Sequence, residues 1–95
     1  MNDKIKNESI DHLFDAILCL KDKDECYRFF EDLCTVNELL SLSQRLEVAH
    51  MLTNNKTYME IAEKTSTSTA TISRVNRSLH YGNDGYQLVF DRTKH

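Results

Sequence analysis

Ninety-five residues with a formal net charge of −3, no Pro, two Gly and three Cys suffice for one modest core in one domain. With Gly only at Gly82 and Gly85, the chain lacks the punctuation of turn-rich β architecture, which leaves helices as the natural reading. No run of about 18 apolar residues occurs, which excludes a transmembrane helix, and the polar, acidic N-terminus lacks the apolar segment of a signal peptide.

The charge is unevenly spread. Residues 1–34 carry five Lys/Arg against nine Asp/Glu, and residues 35–55 carry one against two. Residues 56–79 reverse the sign, with Lys56, Lys64, Arg74 and Arg77 against Glu60 and Glu63. An acidic body with one locally positive face permits a nucleic-acid partner despite the acidic total. Cys19, Cys26 and Cys34 are odd in number and form no C-x-x-C pair. They read as buried, reduced thiols rather than metal ligands or a disulfide framework, and a reducing, cytoplasmic location is expected.

In chain order, Ile10, Leu13, Phe14, Ile17 and Leu18 fall at helical spacing and form the first amphipathic stripe. The charged run Lys21-Asp22-Lys23-Asp24 interrupts it, and Asp22 with Glu25 marks a second start. That helix carries Cys26, Phe29, Phe30 and Leu33 on one face. Thr35-x-x-Glu38 is a capping box that opens a third helix, which continues through Leu39, Leu40, Leu46, Val48, Ala49, Met51 and Leu52. Ser41-x-x-Gln44 has the pattern of a second start inside it, with a kink near Leu42. The apolar positions of residues 10–52 are expected to be core. Asn54-Asn55 ends the periodicity, because Asn tolerates the left-handed conformation that helix ends require.

Thr57-Tyr58-Met59-Glu60 is a further capping box and opens a short helix ending near Thr65. Ser66-Thr67-Ser68 makes the turn, and a second helix runs from about Thr69 to Leu79 or His80, with Gly82 placed to stop it. The pair has the spacing of a helix-turn-helix. Ala62 is small enough for two helices to cross closely, and Ile72, Val75 and Leu79 form an inward stripe beside Ile61. Ser66 stands where Gly is usual, at a cost on the order of 1–2 kcal/mol for a left-handed non-Gly residue.

The outward positions of the second helix are Ser68, Thr69, Thr71, Ser73, Arg74, Asn76, Arg77 and Ser78. All are small or polar or basic, as a helix entering a groove about 12 Å wide must be. Ser and Thr are mediocre helix formers, so their concentration here has a propensity cost that packing does not explain. Lys56, Lys64 and Arg77 flank this face as candidates for phosphate, and Thr69 and Ser73 at its front are candidates for base edges.

Ser68-Thr69-Ala70-Thr71-Ile72-Ser73-Arg74, followed by Ser78-Leu79, resembles the recognition helix of the Trp repressor family. The likeness covers roughly residues 28–90 and is closest to its YerC/YecD subgroup. It implies an all-α, Trp repressor-like fold that forms an intertwined homodimer, each recognition helix entering the major groove of double-stranded DNA. The single domain, 1–95, then divides into dimerisation helices at 4–34, a long core helix at 35–53, the helix-turn-helix at 57–80 and a short C-terminal helix at 84–92. Thr69, Ala70 and Ser73 match the base-reading positions. In the family an Arg and a Ser of the recognition helix lie at a tryptophan corepressor, and Arg74 and Ser78 match them. Arg45 is the candidate for a second ligand-clamping Arg from the third helix, with a one-residue shift. Val75 replaces the Gly that lets indole approach the backbone. This argues against tryptophan and for a different small-molecule effector or none.

The expected function is therefore sequence-specific transcriptional regulation, as a repressor. The alternative is a helical protein-interaction module with an exposed Ser/Thr-rich helix. Catalysis is not expected. His12, His50, His80 and His95 are scattered, and no H-x-x-x-H, phosphate-binding Gly loop or nucleophile elbow is present. No metal or cofactor site is expected, and His50 reads as a core or interface residue.

Overall fold

The computed structural model describes residues 3–93. Met1, Asn2, Lys94 and His95 lie outside the described residues. Among the described residues a 3-10 turn, Asp3–Ile5, is followed by α1 (Glu8–Leu18), α2 (Lys23–Leu33), α3 (Val36–Thr53), α4 (Tyr58–Thr65), α5 (Thr69–Tyr81) and α6 (Gly85–Thr93), with no strand. The chain forms two compact units, one ending at Leu39 and one beginning at Leu40.

In the first unit each helix start is fixed by a side chain that satisfies orphan amide hydrogens. Asn7 Oδ1 accepts from the Ile10 amide at 2.8 Å. Asp22 Oδ1 accepts from the Glu25 amide at 2.9 Å, while Glu25 reaches back to the Lys21 amide at 2.8 Å. Thr35 and Glu38 make the reciprocal bonds of a capping box, 3.1 and 2.8 Å.

The apolar stripes of α1 and α2 form as predicted, yet neither helix has a buried residue. Leu18 is 81% and Val36 75% exposed, and Phe14, Tyr27 and Leu33 are also exposed. Of the expected core across residues 10–52, only Val48 and Ala49 are buried within one chain. The expectation of buried thiols is corrected. Cys19 and Cys26 are exposed and Cys34 half-buried, although all three are free.

The second unit holds the buried core, made of Val48 and Ala49 from α3, Ile61 from α4, Ile72 and Val75 from α5 and Phe90 from α6. Met51, Leu52, Tyr58, Ala62, Leu79 and Tyr86 pack against it. His50 is half-buried, its ring 5.4 Å from that of Phe90. α3 is continuous through Ser41, so the second start predicted there does not form. Ser41 Oγ instead accepts a hydrogen bond from Arg45 Nη2 at 3.4 Å, and the backbone stays helical. After α3, Asn55 takes φ 62°, the left-handed conformation that lets the chain turn into α4.

Candidate nucleic-acid interface

Two helices and the turn between them place the proposed reading surface. Thr57 caps α4 by accepting from the Glu60 amide at 3.1 Å. Ser66 then ends α4 at φ 56°, ψ 32°, which confirms the left-handed turn position read from the sequence. Thr67, the middle residue of the turn, is buried and donates to the Thr65 carbonyl at 3.4 Å. Gln44 Nε2 on α3 donates to the same carbonyl at 3.4 Å. The turn is thus tied to α3 as well as to α4.

Ser68 caps α5, its Oγ accepting from the Thr71 amide at 3.2 Å and donating to Thr71 Oγ1 at 3.1 Å. Ile72 and Val75 point into the core. With a period of 3.6 residues, this turns the intervening positions outward. Ser68, Thr69, Ala70, Ser73, Arg74 and Arg77 are all exposed, as are Lys56 and Lys64. α5 carries no Asp or Glu, so no fixed anion on it opposes a phosphate backbone. Thr71 differs from the others, being half-buried and engaged with Ser68.

A second feature lies on the same unit. A cleft of about 230 Å³ is lined by Ser41, Gln44 and Arg45 of α3, Thr71, Arg74, Val75 and Ser78 of α5, and Tyr86 of α6. It brings together Arg45, Arg74 and Ser78, the three residues singled out as effector candidates. Ser41, Gln44 and Tyr86 were not anticipated there. Ser41 stands one helical turn before Arg45 and three residues before Gln44, spacings visible in the sequence, whereas nothing in the sequence points to Tyr86. Val75 is 3% exposed and its side chain closes the α5 side of the cleft.

The described residues contain no group of three or more His, Cys, Asp or Glu able to hold a metal ion. None of their helices is long and apolar enough to cross a membrane.

The family model of the Trp repressor protein matches residues 8–94. The chain belongs to the Trp repressor family. Uncharacterized protein YerC of Bacillus subtilis (strain 168) is 59% identical over 92 residues, covering 97% of this chain and 88% of that protein. The crystal structure of a TrpR-like protein from Eubacterium eligens ATCC 27750 superposes with a TM-score of 0.95 at 66% identity, covering 98% of this chain and 96% of that one. A candidate Trp repressor from Staphylococcus aureus superposes with a TM-score of 0.93 at 54% identity, covering 97% and 92%. At these identities the likeness extends to the helix-turn-helix itself, and α4, the Ser66 turn and α5 are its parts in this Trp repressor-like fold. The Trp repressor family is one of DNA-binding regulators rather than enzymes.

Proposed function

We propose that this protein is a sequence-specific, double-stranded DNA-binding transcriptional repressor that acts in the cytoplasm as a homodimer, its residues 1–95 working as one domain. The observation that carries the reading is α5. A capped helix turns Ile72 and Val75 into the core and leaves Thr69, Ala70, Ser73, Arg74 and Arg77 exposed, with no acidic residue along its length. Thr69, Ala70 and Ser73 read base edges in the major groove, with Ser68 and Thr71 holding the front of the helix in shape. Lys56, Lys64 and Arg77 bind phosphate. Arg45, Arg74 and Ser78 line the cleft for a small-molecule effector other than tryptophan, if the protein takes one, and Arg74 is also placed to reach DNA.

The homodimer is supported by the first unit. α1 and α2 are strongly amphipathic and have no fully buried residue in one chain. Exposed Phe14, Leu18, Tyr27 and Leu33 gain about 25 cal/mol per Å² of apolar area covered. A second copy supplies a matching face by two-fold symmetry. Two α5 helices in one particle then address two half-sites.

The test is selection of bound duplexes from random DNA, followed by footprinting at several salt concentrations. Enrichment of a two-fold related sequence protected on two successive major grooves is the expected result. If no sequence is enriched and every duplex binds alike, the regulator reading fails and the interaction-module reading takes its place.

A further inference from the structure

The cleft between α3, α5 and α6 has a charge that none of its lining residues balances. None of its lining residues is acidic. Among the described residues neither Arg45 nor Arg74 has a carboxylate within 4 Å. A guanidinium cannot shed its proton, so a cleft lined by two of them and by no acid favours an anion.

The remaining polar groups sharpen the choice. Arg45 is held by Ser41 Oγ through one N–H, which leaves the rest of its fork unused. The Arg74 guanidinium makes no hydrogen bond among the described residues. Thr71 Oγ1 accepts from Ser68, so its own proton is available to donate. Ser78 spends its proton on the Arg74 carbonyl at 3.3 Å, and Gln44 spends an amide hydrogen on Thr65. The site therefore offers donors in excess.

Its apolar wall is small. Val75 and Tyr86 are the apolar contributors, and the Tyr86 ring stacks on Phe90 at 6.2 Å. A flat aromatic body needs apolar cover on two faces, whereas a compact oxyanion needs forked donors. A phosphate dianion balances both guanidinium charges, where a single carboxylate balances one.

We propose that this cleft is a site for a phosphate group, clamped by Arg45 and Arg74 with Thr71 as a further donor. The group comes either from a phosphorylated small molecule, which deepens the effector reading above, or from the backbone of bound DNA, which rests on the DNA-regulator reading. The ligand class is thus an oxyanion rather than an aromatic amino acid.

Calorimetric titration of the full chain with inorganic phosphate, in a chloride buffer of fixed ionic strength, tests the site without DNA. Saturable binding is expected, weakened about tenfold or more by Arg45→Gln and by Arg74→Gln. Arg74→Lys should bind between the two, because it keeps the charge and loses the fork. Arg92→Gln makes the same change of charge outside the cleft and should bind like the unaltered protein. Circular dichroism confirms that each variant is folded, and Arg74→Gln, on an exposed position, decides if Arg45→Gln is not. No saturable heat, or equal affinity in all the proteins, overturns the proposal.

The second arm measures anisotropy of a selected duplex with and without saturating inorganic phosphate at constant ionic strength. Weakened duplex binding that is absent in Arg74→Gln identifies the DNA backbone as the source, and unchanged or tightened binding identifies a free ligand. A chain that binds phosphate but no duplex keeps this site and overturns the DNA-regulator reading.

Discussion

Ser68 and Thr71 close the first turn of α5 on each other: the Ser68 oxygen takes the Thr71 amide hydrogen at 3.2 Å and its proton goes to the Thr71 hydroxyl at 3.1 Å. Both residues belong to the outward set, yet their side chains are committed to the helix itself. Ser68→Ala should cost about 1 kcal/mol of stability and lower the melting temperature by about 4–8 °C. Ser68→Asp keeps the cap and should melt near the unaltered protein, while its added negative charge weakens binding to every duplex. Thermal melts and DNA titrations of the two variants separate capping from contact.

Thr69 and Ser73 have no such commitment in their side chains, which is why base reading is assigned to them. Replacing either with Ala should cost about 1–3 kcal/mol at particular operator positions and leave the salt dependence unchanged. Removing Lys64 or Arg77 should weaken all sequences alike and lower the salt slope by about one per lost contact per subunit. Titrations against operator and scrambled duplexes at several salt concentrations check both. A Thr69 or Ser73 variant that keeps the full specificity ratio reassigns the reading surface.

Val75 is both a core residue and a wall of the cleft. Calorimetry with L-tryptophan should therefore give no specific heat. Val75→Gly removes that wall, and it should also destabilise the fold by about 3 kcal/mol through the lost burial and the helical Gly. Millimolar or tighter tryptophan binding by the unaltered protein contradicts the steric argument.

Glu38 has its pKa held below the ordinary carboxylate value, chiefly by the hydrogen bond from the Thr35 backbone amide and then by the one from the Thr35 side chain. A lowered folded-state pKa means that this group contributes stability above its unfolded value, about 4.3. The contribution is lost as pH falls through the folded value. The start of α3 should therefore fray only in acid. A carboxylate-detected NMR titration should place Glu38 below the exposed glutamates, and Thr35→Ala should return it only part of the way, because the backbone donor stays.

Sedimentation at micromolar concentration should find a dimer. Leu18→Glu puts a charge on the apolar face of α1, on a residue already 81% exposed in the chain. It should shift the equilibrium toward monomer without unfolding the second unit. A monodisperse monomer of the unaltered protein ends the two-half-site picture.

Signals with a local mechanism were legible in the sequence. The boxes at Thr35/Glu38 and Thr57/Glu60, the left-handed Asn55 and Ser66, and the inward Ile72 and Val75 each follow from a few neighbouring residues. What escaped depends on competition or on distant partners. Ser41 has the sequence pattern of a cap, but it is satisfied by Arg45 inside an uninterrupted helix. Asp84 takes φ 59° although Gly85 beside it is the conformationally freer residue, and no pattern marks that choice. Tyr86 reaches the cleft from a helix far along the chain. The apolar stripes of α1 and α2 were read correctly as amphipathic helices, with more apolar surface than so short a chain can bury, and neither has a buried residue in one chain; periodicity does not name what covers them.

Gly82 gives α5 a fixed length. Its amide bonds to the Ser78 carbonyl at 3.0 Å, and a side chain grown on it would collide with that same oxygen. Every other amino acid is thereby barred from this position unless the end of the helix shifts. The 13 residues of α5 rise about 1.5 Å each, giving a rod of about 20 Å. The glycine acts as a ruler: it sets where the exposed rod stops and where the chain is released to turn into α6.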